Sequence, residues 1–266
     1  MRNAFNLKSV FLIVLISIFA AFFSGGLIMA FGLSKSNAPE KIYTFISFIV
    51  GQGFMIIPLI WYVIWKKAPL LKTIRLNPVS LPILFYTVLF SLGLIILSDE
   101  LDRVMQIFIP APEYIMDLNK LLKPDTFLGF VLLFIAVGVL APIGEELLFR
   151  GFLQQYLEKY WADTTRAILV TALVFSAIHM NPYWFIQIYF LGIMLGFIAW
   201  KTNSIIPPLI LHGLNNTMAM LLSFSESSEN SFYTFHGHVA PWIFIFAIVI
   251  TVYGFKNINE VKIKKT

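Results

Sequence analysis

Cysteine is absent from all 266 residues. Disulfides, thiolate nucleophiles and cysteine-based zinc sites are therefore excluded. Charge is scarce: 12% of the residues are Asp, Glu, Lys or Arg, where a soluble domain carries about 25%. There is no glycine-rich phosphate loop, no H-E-x-x-H and no low-complexity tract. No repeat of about 20–50 residues is visible. Inverted repeats, the usual mark of a secondary transporter, are not evident either. The net charge of +5 would suit nucleic acid, but the basic residues flank apolar runs, as topology signals do. No nucleic-acid partner is expected.

What the chain does have is hydrocarbon. It is 59% hydrophobic and 16% aromatic, with a mean hydropathy of +0.83. A membrane-crossing helix needs about 20 apolar residues. Eight segments qualify as candidates: 9–33, 43–65, 79–98, 126–157, 165–181, 184–201, 205–224 and 239–256. The fold expected is all-α, a polytopic bundle of about eight helices lying in the lipid bilayer. The apolar run after Lys8 exceeds the ~7–15 residues of a signal-peptide core and reads as a retained helix. Cleavage near Ala20–Ala21 is the alternative.

Lysine and arginine favour the cytoplasmic side. With the N-terminus inside, Arg2, Lys8, Lys66, Lys67, Lys72, Arg75, Arg150, Lys159, Arg166, Lys201, Lys256, Lys262, Lys264 and Lys265 fall on the inner side, and only Lys35, Lys41, Arg103, Lys120 and Lys123 on the outer. Both termini are then cytoplasmic, in the cell's inner or plasma membrane. Residues 66–80 read as a basic segment lying on the inner leaflet. Asp99, Glu100 and Asp102 read as a helix end at the outer surface.

Against this background the polar residues stand out. A charge at a helix centre in the bilayer costs at least ~2.5–3.5 kcal/mol. Glu145 and Glu146 are adjacent, and Arg150 follows Glu146 at i,i+4, so the two share a face and can pair. Glu145 is offset by about 100° and can face a cavity. Pro142 and Gly144 loosen the helix just before the pair, where a freed carbonyl could admit water. The alternative is a trio that snorkels at the interface. His179 ends an apolar span ahead of Asn181–Pro182; the alternative is an interfacial histidine held by hydrogen bonds. His212 and Asn216 are again i,i+4, and could instead be glue between helices.

Depth makes these segments cohere. Glu145 lies 17 residues before Ala162 and His179 lies 17 after it, while His212 lies 11 past Lys201. In antiparallel helices rising ~1.5 Å per residue such positions meet. Two carboxylates, two imidazoles, an amide and an arginine can converge in one buried polar cavity. His236 and His238, near Glu226 and Glu229, form an H-x-H pair that reads as solvated loop histidines rather than a metal site. Gln52 and Gln187 read as helix glue, and Phe175 as packing.

The ordered boxes Glu145-Glu146-x-x-x-Arg150, Phe175-x-x-x-His179 and His212-x-x-x-Asn216 resemble the signature of the CAAX prenyl endopeptidase type II and bacteriocin-processing (CPBP, or Abi) family of intramembrane proteases. The resemblance covers about residues 125–225. It divides the chain into residues 1–124, with three membrane helices and no motif; 125–225, a catalytic core of four helices; and 226–266, an outer loop, a last membrane helix and a basic tail. It implies that Glu145 activates water, that Glu146 and Arg150 support it, and that His179, His212 and Asn216 position the water and stabilise the oxyanion. The substrate implied is a membrane-embedded or lipidated protein or peptide. No cofactor is expected. Zinc held by Glu145, His179 and His212, with Glu146 as base, is the alternative. A non-catalytic scaffold or bacteriocin-immunity protein and a proton-coupled transporter are the rival functions.

Overall fold

A computed structural model describes residues 5–34, 40–224 and 231–260. Ten helices and one hairpin make up the regular structure of these residues. They are α1 (Leu7–Leu33), α2 (Glu40–Trp65), α3 (Leu70–Thr73), α4 (Leu81–Phe108), α5 (Glu113–Leu122), α6 (Phe127–Trp161), α7 (Thr164–Ile178), α8 (Phe185–Thr202), α9 (Ile206–Phe224) and α10 (Pro241–Asn259). Strands β1 (Thr234–Phe235) and β2 (His238–Val239) pair antiparallel between α9 and α10. Each of the eight apolar segments is helical. Six helices, α1, α2, α4, α6, α8 and α10, are long and apolar enough to cross a membrane. The protein is an all-α, multi-pass integral membrane protein. α7 has only 15 residues and turns back at His179.

Because lipid is as apolar as leucine, membrane helices associate by close packing, which small residues permit. A Cβ on Gly25 would stand 3.0 Å from the Ser47 carbonyl, and one on Gly51 the same distance from the Ala21 carbonyl, so α1 and α2 touch backbone to backbone. α4 and α10 meet likewise: a Cβ on Gly254 would lie 2.8 Å from both Phe90 N and the Tyr86 carbonyl oxygen. The core between these pairs centres on α6, whose Leu148, Phe149, Phe152, Leu153 and Leu157 are buried against Leu59, Val63, Phe175, Leu195 and Leu211.

Three expectations need correction. α4 does not end near residue 98 but runs to Phe108, so Asp99, Glu100 and Asp102 lie inside a helix. Their charges are answered there. Glu100 accepts from His238 Nδ1 (2.8 Å) and from the Val239 N–H (2.7 Å). Asp99 accepts from Arg103 (2.9 Å) and from the Tyr233 hydroxyl (2.9 Å). Burial, with Asp99 beside it, pushes the Tyr233 phenol up, so it stays a donor. The hairpin is thus latched to α4, and His238 serves that latch; Glu226 and Glu229 lie outside the described residues. Second, the loop before α6 holds an additional helix, α5. Third, residues 66–80 do not simply lie on a leaflet. Lys66, Lys67 and Lys72 are exposed, but Arg75 is buried. It pairs in two-pronged fashion with Glu158 of α6, and its carbonyl accepts from the Ile205 N–H at 3.0 Å. That contact, with Ser204 Oγ donating to the Asn77 carbonyl (2.6 Å), fixes the start of α9.

Candidate functional site

α6 carries the site because its winding changes at that point. Residues Phe134–Leu140 and Leu147–Gln154 are π-helical, and a short α-helical stretch, Ala141–Glu146, lies between them. π-turns cluster at functional sites. Here Pro142 bears on the winding: the Ala141 N–H donates to the Ala136 carbonyl in the π register, and Pro142, which has no N–H, cannot serve the next carbonyl, Val137. α9 meets that carbonyl: Asn216 Nδ2 donates to it at 3.1 Å. Gly213 lets α9 come close, since a Cβ there would stand 3.2 Å from the Gly138 carbonyl. The loosened helix is therefore braced by the same α9 that carries His212.

Three helices bring the predicted side chains together. Glu145 Oε2 lies 3.7 Å from His212 Nε2 and 3.9 Å from His179 Nε2. Glu146 Oε1 receives Arg150 Nη1 at 2.8 Å and His212 Nδ1 at 2.9 Å. Glu146 and Arg150 are fully buried, and Glu145 and His212 nearly so. Asn216 is half-buried, and the His179 side chain reaches the outside, at 30% exposure. It marks the open edge of the site. The two 17-residue arms on either side of the turn at Ala162 do meet, as the residue spacing requires. Arg150 is held three ways: by Glu146, by the Gly192 carbonyl (3.2 Å) and by the Phe175 ring, whose centroid lies 4.2 Å from the guanidinium.

The hydrogen bonds also fix which imidazole nitrogens carry protons. His179 Nδ1 lies 2.7 Å from the Phe175 carbonyl, an acceptor only, so Nδ1 donates. His212 Nδ1 faces a carboxylate oxygen that already accepts from Arg150, so it too donates. In their neutral forms both rings therefore turn a lone pair at Nε2 toward Glu145 Oε2. Three acceptors surround one point, which suits a proton donor such as water. Glu145 Oε2 has no hydrogen-bond partner among the described residues.

The same three groups are the zinc alternative. Ligands of tetrahedral zinc stand about 3.3 Å apart, and these atoms stand 3.7 and 3.9 Å apart. Among the described residues no group of three His, Asp or Glu side chains is placed to hold a metal ion. At these separations the three atoms stand a few tenths of an ångström wider than a tetrahedral zinc shell.

Two features escape sequence reasoning. Phe175 is more than packing: its ring lies under Arg150 and meets both imidazoles edge-on, at 4.8 and 5.7 Å between centroids. The backbone acceptors are the other, the Gly192, Val137 and Phe175 carbonyls, which leave no mark in side-chain patterns. Asn216 bonds to the Val137 carbonyl of α6 and touches Asn215, and among the described residues it makes no hydrogen bond to either glutamate.

Residues 127–218 match the family model for type II CAAX prenyl endopeptidases, Rce1-like. No curated protein and no solved structure gives a match. The matched segment spans α6 to α9 and contains all six predicted site residues.

Proposed function

We propose, from the match of residues 127–218 to the Rce1-like family model, that the chain is an intramembrane endopeptidase that hydrolyses a peptide bond with water activated by Glu145 rather than by a metal. The observation that carries this reading is the orphaned Glu145 Oε2, set between two imidazoles whose Nδ1 protons are already committed.

Amide hydrolysis needs a base for water, donors for the developing oxyanion and an acid for the leaving amine. Glu145 takes a proton from water as the hydroxyl oxygen bonds to the carbonyl carbon. The tetrahedral oxyanion is met by the second N–H of Asn216 and by the Nε2–H of one imidazole, which takes up a proton from solvent when substrate binds and keeps it throughout the cycle. Glu145 then returns its proton to the departing nitrogen as the C–N bond breaks, so one water is consumed per bond. Glu146 and Arg150 do not touch the reacting atoms in this scheme. Glu146 keeps His212 Nδ1 as donor, and Arg150 neutralises Glu146.

The substrate proposed is a membrane-embedded or lipidated protein or peptide, prenylated substrates included, presented at the His179 edge. In cells lacking the protein, restoring the wild type should remove membrane-associated peptides that persist when Glu145→Gln is restored instead. Equal processing by both proteins would reject the catalytic role and favour a non-catalytic scaffold, since the Glu146–Arg150–His212 network would then serve only to hold the helices.

A further inference from the structure

Besides Arg75, another polar side chain from outside the matched segment faces the catalytic helix, and this one lies next to Glu145. Gln52 sits in α2, and its carboxamide lies against Gly144, the residue before Glu145. A Cβ on Gly144 would stand 3.2 Å from Gln52 Oε1 and 3.5 Å from the Gln52 carbonyl oxygen. Any side chain larger than hydrogen at 144 would crowd this carboxamide. Gln52 Oε1 is buried and has no hydrogen-bond partner among the described residues, and the same holds for Glu145 Oε2. Buried acceptors are normally satisfied, by water if not by protein. For helix packing alone, a methionine of similar size would serve better in an apolar interface, because it leaves no acceptor dry.

A water molecule has two O–H bonds. Gln52 Oε1 and Glu145 Oε2 lie to either side of Gly144, while the third orphaned oxygen of this turn, Glu146 Oε2, belongs to the carboxylate already paired with Arg150. We infer that Gln52 holds the reactive water together with Glu145, and so contributes to catalysis from the part of the chain that carries no family motif. One O–H points to Glu145 Oε2 and is the proton removed. The other points to Gln52 Oε1 and stays on oxygen while the new C–O bond forms. A lone pair is left to face the peptide carbonyl. This inference rests on the proposed hydrolysis.

The test uses purified protein in liposomes and an internally quenched peptide ending in farnesylated Cys-a-a-X. Gln52→Met should lower kcat by at least about tenfold with KM little changed, while the protein melts like the wild type. Gln52→Glu, which keeps an oxygen in place, should retain more activity than Gln52→Met. A packing role predicts the opposite order, because it favours the apolar side chain over a buried charge. Gly144→Ala should also lower kcat, by displacing Oε1 without removing it, and this reads the same contact should Gln52→Met fail to fold. Wild-type kcat in Gln52→Met or Gly144→Ala, or a Glu variant less active than the Met variant, overturns the inference. Glu145→Gln is run in parallel. If it is dead and Gln52→Met is fully active, only the role of Gln52 falls. If it is fully active, the proposed function falls as well.

Discussion

Glu146 and Arg150 are the most deeply buried charges in the site, and their pairing decides what each substitution costs. Removing one member of a buried pair strands the other and costs about 3–5 kcal/mol, whereas replacing both by apolar residues is often near neutral. Arg150→Met should therefore lower the melting temperature in detergent sharply. Glu146→Met combined with Arg150→Met should recover most of that loss. A double variant no more stable than Arg150→Met alone would show that the pair is not the unit. The i,i+4 spacing made this pair legible from sequence. That Glu146 also holds His212, at 2.9 Å, was not, because a contact between helices far apart in the chain has no local signature.

Among the helices, position was easier to read than extent. Apolar runs announce themselves, and each of the eight segments is helical, six of them in helices long and apolar enough to cross a membrane. α4 outruns its apolar stretch because Asp99, Glu100 and Arg103 are partnered by the hairpin, and no window of sequence shows a partner more than 130 residues away. Arg75 was misplaced for the same reason: its partner Glu158 belongs to another element. The loosening near Pro142 is legible in the sequence, but its form, a π-turn on each side of Glu145 and Glu146, depends on Asn216 of α9 bracing the freed Val137 carbonyl. At this scale the glycine contacts predict stability. A Cβ on Gly254 would meet the α4 backbone at 2.8 Å, so Gly254→Leu should push α10 from α4. Lower thermal stability is expected, with the kcat of the surviving folded fraction intact. An unchanged melting temperature would mean the two helices are not held by this contact.

For the molecule as a whole, the charge pattern and the chemistry each make one prediction. The bias of Lys66, Lys67, Lys159 and Lys201 to one end of the bundle predicts that reporters fused to either terminus read out as cytoplasmic; an external reading at either terminus would reverse the orientation. Metal-free catalysis predicts purified protein with far less than one zinc per chain and activity that survives a strong chelator. Stoichiometric zinc, with activity lost on chelation and restored by zinc, would instead make Glu145, His179 and His212 ligands.

The most direct measurement is hydrolysis in water enriched in oxygen-18, by purified protein in liposomes with the farnesylated peptide, read by mass spectrometry. The wild type should yield two fragments, with one heavy oxygen in the new carboxylate, and Glu145→Gln, equally folded, should lose at least about 100-fold in rate. Labelled product formed at the wild-type rate by Glu145→Gln would contradict the assignment.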